Sequence, residues 1–140
     1  MANRKAPDLL HSAAIHLLRR VSRADDESGI GRAQLSALSV LYFAGAKTLS
    51  ELAAAERVTP PTMSRIVDAL QRDDLVLRVP HLRDRRAVTI VLTAKGTRAF
   101  ARARERRLEL LDRLFAKTTR AELATLERAA EIVERALRDA

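Results

Sequence analysis

Apolar residues recur at helical spacing over much of the chain. Between Asp8 and about Ala24 their three- to four-residue spacing predicts an amphipathic helix, and the same pattern predicts helices over about 32–44, 95–117 and 120–137. Leu9, Ala13 and Ile15 widen the first stripe until most of the helix circumference is apolar. In a small chain such a broad stripe indicates burial on more than one side, for which a partner subunit is the simplest cause.

Two short helices are predicted in the middle of the chain, over about 49–55 and 60–72. Thr48 and Glu51 have the spacing of a capping box at the start of the first, with Ser50 as an alternative cap. Thr59 is a good N-cap for the second, because Pro60 at the first helical position lacks an amide that would be unpaired anyway. The pair predicts a helix-turn-helix unit, although other helical hairpins share this pattern.

The segment that follows makes this interpretation more specific. Residues 75–78 and 87–92 are rich in β-branched and aliphatic side chains and predict two strands. The connection over 79–86 is long enough for a hairpin loop and carries several arginines. A helix-turn-helix followed directly by a β-hairpin with a basic tip is a winged helix. The predicted fold class is mainly α with a small β-hairpin.

Charge points to the kind of partner. The 140 residues, which suggest one domain, include 26 Lys and Arg against 18 Asp and Glu, giving a net charge of +8. The isoelectric point near 11.1 favours a polyanion as the partner. The chain has no cysteine, which excludes thiol catalysis and disulfides, and its three histidines are too scattered for a metal signature. We therefore expect neither a metal nor another cofactor.

Several classes of protein are disfavoured. We do not expect this protein to be an enzyme, because the chain has no Gly-x-x-x-x-Gly-Lys, His-Glu-x-x-His or Gly-x-Ser-x-Gly motif. No apolar run is long enough for a membrane span and Met1–Asp8 lacks an apolar signal region, so we expect a cytoplasmic protein without membrane contact. The arginines of 95–120 leave RNA binding as an alternative, but aromatic residues are only 3% of the chain and none flanks the wing.

Four stretches resemble the MarR family of winged-helix transcriptional regulators, and the resemblance extends over roughly residues 8–138. They are residues 30–35, 49–53 and 61–70, and Asp84-Arg85-Arg86 followed by Leu92-Thr93-Ala94-Lys95-Gly96, which is the most specific. Asp74 stands where the family usually has a glycine, and aspartate tolerates the left-handed conformation required there at modest cost. Gly31 stands where the family usually has a threonine N-cap, and glycine is an acceptable residue at that position.

The resemblance implies one domain over 1–140, in which a winged lobe at about 30–93 is joined to dimerisation helices at about 8–26 and 95–138. It implies a homodimer with two recognition helices in successive major grooves of a pseudo-palindromic operator and wings in flanking minor grooves. It also implies a repressor released by a small phenolic or anionic effector. A DNA-binding or architectural dimer without an effector remains the alternative.

On the hypothesis of DNA binding, the N-terminal end of the recognition helix and the wing supply the candidate contacts. These are Thr59, Pro61, Thr62, Ser64 and Arg65 in the helix and Arg83, Arg85 and Arg86 in the wing. Thr59 could be a plain N-cap, and Arg65 could instead pair with Asp68. The resemblance gives Asp84 the role of bracing the wing through an arginine. It also suggests an effector pocket, for which the polar candidates are His16, Arg20 and Tyr42, with ordinary packing as the alternative.

Overall fold

The computed structural model describes residues 3–140, so Met1 and Ala2, at the start of the predicted domain, lie outside the described residues. Within this range the elements are α1 (Lys5–Asp25), α2 (Arg32–Ala44), β1 (Lys47–Thr48), α3 (Leu49–Ala55), α4 (Pro60–Arg72), β2 (Val76–Pro80), β3 (Val88–Leu92), α5 (Ala94–Leu114) and α6 (Arg120–Arg138). The predicted fold class, mainly helical with a small β-hairpin, is confirmed. The chain divides into two compact units, one ending at Leu108 and one spanning Glu109–Ala140.

The sheet has one strand more than the sequence predicts. Its antiparallel order is β1-β3-β2, with Lys47 paired to Ile90 and Thr48 to Thr89. A two-residue strand is too short to show an alternating pattern, which is why β1 was not predicted. Strand β2 was predicted over 75–78 and is found over Val76–Pro80, so it ends two residues later than predicted. Proline is tolerated there because it ends an edge strand.

The core of the first unit lies between the helices and the hairpin of the winged lobe. Each of α2, α3, α4, β2, β3 and α5 contributes buried apolar side chains to it. The largest fully buried ones are Leu35, Leu38, Leu52, Met63, Val67, Leu70, Val76 and Ile90. Threonine caps position the short helices, and Thr48, rather than the alternative Ser50, caps α3 by accepting a hydrogen bond from the Glu51 amide at 3.1 Å.

The Leu-Thr-x-x-Gly stretch locks the start of α5 onto the corner between α4 and β2. Asp74 has a φ of 57°, the left-handed conformation expected where the family has glycine. Thr93 donates its hydroxyl to the carbonyl oxygen of Asp74 at 2.6 Å and accepts the Gly96 amide at 2.9 Å. A Cβ atom at Gly96 would lie 1.9 Å from the carbonyl oxygen of Leu75. Only glycine therefore permits this close approach.

Two helices keep much of their apolar surface uncovered. In α1 only Val21, Ala24 and Asp25 are buried, whereas α6 has no buried residue. The exposed apolar side chains of the two helices are Leu9, Leu10, Ile15, Leu17, Leu18, Leu123, Leu126, Ile132 and Leu137. Of the helices between residues 3 and 140, none combines the length and apolarity needed to cross a bilayer.

Candidate nucleic-acid interface

The N-terminal half of α4 presents a polar surface above a buried apolar stripe. Met63 and Val67 anchor the helix in the core. Of the predicted contact residues, Ser64 is half-buried and the others are exposed: Thr59, Pro61, Thr62 and Arg65. Thr59 accepts the Thr62 amide at 3.3 Å and donates its hydroxyl to that of Thr62 at 3.0 Å. Pro60 and Pro61 have no backbone N–H and the Thr62 amide is already engaged, so the first turn offers a phosphate its threonine hydroxyls and the positive end of the helix dipole.

Arg78 of β2 holds α4 from the side, a role that the sequence analysis missed. Its Nη1 atom lies 2.7 Å from Oδ1 of Asp68 and donates to the side-chain oxygen of Gln71 at 2.8 Å. Its Nη2 atom donates to both the carbonyl and the hydroxyl oxygen of Ser64, each at 3.1 Å. One guanidinium thus bridges the strand to two successive turns of the recognition helix.

This network changes the interpretation of two predicted residues. Asp68 pairs with Arg78, so the alternative of an Arg65–Asp68 ion pair is not what the structure shows, and the Arg65 side chain is exposed. The hydroxyl of Ser64 is engaged within the protein. The strand pattern could have indicated the internal role of Arg78. Alternation places Arg78 on the same face as the buried Val76, where an unpaired charge would be costly.

The tip of the wing is a turn held by its own side chains. Nδ1 of His81 accepts the amides of Arg83 at 3.2 Å and Asp84 at 3.1 Å. Asp84 accepts the backbone N–H of Arg86 at 2.9 Å, so within the turn it contacts an arginine through the backbone. The side chains of Arg83, Arg85 and Arg86 are all exposed.

An open groove runs along the recognition helix beside the wing. It has a volume of about 550 Å³ and is lined by Asp68, Gln71, Arg72 and Arg78. The lining carries net positive charge, because Asp68 pairs with Arg78 and Arg72 adds a second guanidinium group. Exposed helix, groove and basic wing tip together form a surface suited to a nucleic-acid backbone.

Comparison with known proteins agrees with this surface. The MarR family model matches residues 30–88, which span the helix-turn-helix and most of the wing. An uncharacterized HTH-type transcriptional regulator of Mycobacterium bovis is 35% identical over 124 residues, covering 89% of this chain and 87% of that protein. The chain belongs to the MarR family.

Two further comparisons extend the match. The HTH-type transcriptional repressor MdtR of Bacillus subtilis is 28% identical over 117 residues, which cover 79% of this chain and 76% of that protein. A solved structure of a MarR family protein from Bacillus stearothermophilus is 26% identical, with a TM-score of 0.85 and coverage of 99% of both chains. MarR family members are transcriptional regulators that bind DNA and typically act as dimers; they are not enzymes.

This MarR family chain also has a partly open cavity away from the recognition helix and the wing tip. It lies between α2 and α5 and has a volume of about 310 Å³. Its lining residues are Leu35, Ser39, Phe43, Phe100, Ala103, Arg104 and Arg107. None of the predicted effector residues belongs to this lining: His16 and Arg20 are exposed on α1, and Tyr42 packs its ring 4.8 Å from that of Phe100.

One edge of the cavity is tied to α1 by an ion pair that sequence reasoning did not find. Arg107 donates to both carboxylate oxygens of Asp25 at 2.7 Å, and Asp25 is only 4% exposed. The hydrogen bond to Asp25 raises the pKa of Arg107 above its ordinary value, while partial burial opposes that rise. Among the described residues, no group of three acidic or histidine side chains is placed to hold a metal ion.

Proposed function

We propose that this protein is a sequence-specific, homodimeric repressor that binds a pseudo-palindromic operator in double-stranded DNA and is released by a small-molecule effector. The observation that carries the proposal is the exposed N-terminal face of α4 beside a wing tip with three exposed arginines. It is supported by membership of a family of DNA-binding regulators. We place its action in the cytoplasm, where a bacterial operator is accessible.

In this proposal the recognition helix supplies both affinity and sequence discrimination. The hydroxyls of Thr59 and Thr62 hold phosphates, while Pro61 packs against the DNA backbone. Arg65 forks onto the edge of a guanine, a contact worth about 1–3 kcal/mol of discrimination. Ser64 acts through Arg78, since its hydroxyl is already engaged within the protein.

The wing arginines act in the flanking minor groove. Narrow A·T-rich minor grooves concentrate negative potential, which attracts an inserted guanidinium. Arg83 and Arg85 reach the groove and its phosphates. Arg86 is the residue we expect to matter most, because its amide closes the turn on Asp84 while its side chain remains free for DNA.

Dimerisation follows from the uncovered apolar faces of α1 and α6. Leu18 is 66% exposed and Leu137 is 68% exposed in the single chain. An exposed apolar helix face of this kind marks an interaction site. We propose a second copy of this chain as the occupant, with the helices near 8–26 and 95–138 forming the interface of one MarR-like domain.

The cavity between α2 and α5 is the site we propose for the effector. Phe43 and Phe100 offer apolar ring surface, and Arg104 and Arg107 offer positive charge. This combination fits a small aromatic acid or a phenolate. Because the Asp25 carboxylate already occupies Arg107, an effector anion would compete with α1 for that guanidinium. Effector binding would then change a contact made by α1, one of the proposed dimerisation helices.

The HTH-type transcriptional repressor MdtR of Bacillus subtilis supports repression as the sign of regulation.

The first test is binding of the purified full-length protein to duplex DNA. The probes are the region upstream of its own gene, a duplex selected by the protein from a random pool, and an unrelated duplex of equal length. Selective binding with a steep dependence on salt is the expected result. Arg65→Ala should lose selectivity, while the control Arg128→Ala on α6 should not. Equal binding of all three duplexes would contradict sequence specificity and favour an architectural role.

The effector is tested separately by thermal unfolding with salicylate-type acids. A ligand that binds the native state raises the unfolding temperature by mass action. We expect this rise to disappear in Arg104→Ala, which removes a cavity cation without breaking the Asp25–Arg107 pair. If none of the acids raises the unfolding temperature or releases DNA, the alternative of a ligand-independent dimer is favoured.

A further inference from the structure

An apolar side chain projects from the most basic part of the molecule. Leu82, at the wing tip, has a relative exposure of 102%, so it contacts nothing in its own chain. Leu77, the other exposed leucine of the hairpin, is 49% exposed because it packs partly against its neighbours in the sheet. Leu82 therefore contributes nothing to folding through burial.

The backbone that carries Leu82 is held in place. The flanking His81 accepts two amides beyond it, and the backbone N–H of His81 donates to the Ala87 carbonyl at 3.2 Å. The Ala87 amide returns to the carbonyl of Asp84 at 3.1 Å. Such a closed turn presents its tip side chain in one direction, so the leucine can be positioned before any partner binds.

The charges around Leu82 select the partner. Three exposed arginines follow it within four residues, and the one carboxylate among them accepts the Arg86 amide. A polyanion is the partner that such a tip attracts. The walls of a DNA minor groove are the C–H faces of deoxyribose rings, and apolar side chains inserted there contact sugars or wedge between base steps.

Resting on the proposed function, we infer that Leu82 enters the minor groove together with the wing arginines and makes an apolar contact with the DNA. This contact adds affinity that does not depend on counterion release. It makes Leu82 a residue that positions the wing on the operator, distinct in mechanism from the arginines beside it.

The experiment measures operator affinity at four salt concentrations for the full-length wild type, Leu82→Ala, Leu82→Met and Arg83→Ala, using the duplex selected from a random pool. Leu82→Ala should bind about tenfold more weakly at every salt concentration with an unchanged salt slope, because burial of a leucine side chain is lost. Arg83→Ala should lower the slope by about one. Leu82→Met should restore most of the affinity, because it remains apolar.

Leu77→Ala is the matched control, since it removes an exposed leucine from the strand face opposite to Arg78 and should leave binding within about twofold of the wild type. Operator binding by Leu82→Ala at wild-type strength would overturn the inference, as would a loss that vanishes at high salt. Normal DNA binding with lost repression in cells would also overturn it and indicate a protein partner. If the wild type itself shows no preference for the selected duplex, the proposed function fails first.

Discussion

The winged lobe and the terminal helices α1 and α6 share the same apolar periodicity but differ in where their leucines lie. In the lobe, Leu38 and Leu52 are fully buried within one chain. In α1 and α6 the leucines remain largely exposed, although these helices, like α4 of the lobe, are clearly amphipathic. Amphipathic periodicity therefore predicts that a face will be buried, but not which chain covers it.

This difference separates two requirements of a DNA-binding regulator. The lobe needs an internal core, because the recognition helix must be held rigidly for its side chains to reach base edges. In the proposed dimer the terminal helices supply the interface, because two lobes must be spaced by the geometry of the duplex. Four variants test these requirements, because each either removes one of them or shows that the two are separable.

The largest effect is expected from removal of residues 1–24, which deletes nearly all of α1. The remaining chain loses Val21 and Ala24 from packing and leaves the proposed interface incomplete, so we expect poor folding or aggregation. Size-exclusion chromatography with light scattering and circular dichroism would measure this. A chain lacking only residues 2–4, which precede α1, serves as the control and should behave as the wild type. A soluble, stable monomer of the shortened chain would contradict the dimer.

The second largest effect is expected from Gly96→Ala, which disturbs the winged lobe alone. Gly96→Ala places a methyl group against the carbonyl oxygen of Leu75, so the corner between α4, β2 and α5 must shift. We expect a loss of about 3 kcal/mol in the free energy of unfolding, measured with urea. Gly31→Ser is the control, because a Cβ atom there meets only the Gln34 side chain at ordinary contact distance and the backbone conformation suits an N-cap serine. Equal stability of the two variants would contradict the close approach.

A smaller effect separates DNA binding from assembly. Arg86→Ala removes a wing guanidinium and should weaken operator binding at least about tenfold, or about 1.4 kcal/mol. The dimer should persist, because the wing is remote in sequence from α1 and α6. Gel-shift titration and light scattering on the same sample measure the two properties. Wild-type affinity of this variant would show that the wing assignment is wrong.

The smallest effect concerns α6 by itself. Glu122 closes a capping box on Thr119, whose backbone and side-chain hydrogen bonds hold the pKa of the carboxyl below its ordinary value of 4.5. The resulting stabilisation is present above that value and is lost as the pH falls through the lowered pKa. Thr119→Ala should lower stability by about 1 kcal/mol at neutral pH. Thermal unfolding at neutral and acidic pH should show this difference shrinking on acidification; a difference that grows would contradict it.

Local patterns account for what could be predicted. The helices, the caps at Thr48 and Thr59, and the left-handed conformation at Asp74 depend on residues within a few positions of one another. The wing was recognisable because strands, basic loop and the Leu-Thr-x-x-Gly stretch follow in a fixed order. The DNA-contact residues remain predictions, supported by the exposure of all of them except the half-buried Ser64.

The sequence by itself therefore determined the class of fold, the family and which face of α4 is buried, because these follow from periodicity and short-range chemistry. Only the tertiary structure decided that Arg78 holds the recognition helix, that Arg107 pairs with Asp25 across 82 positions of chain, and that a cavity opens between α2 and α5. Such contacts join residues far apart in sequence, and a charged side chain gives no sign of its partner until the folded chain brings the two together.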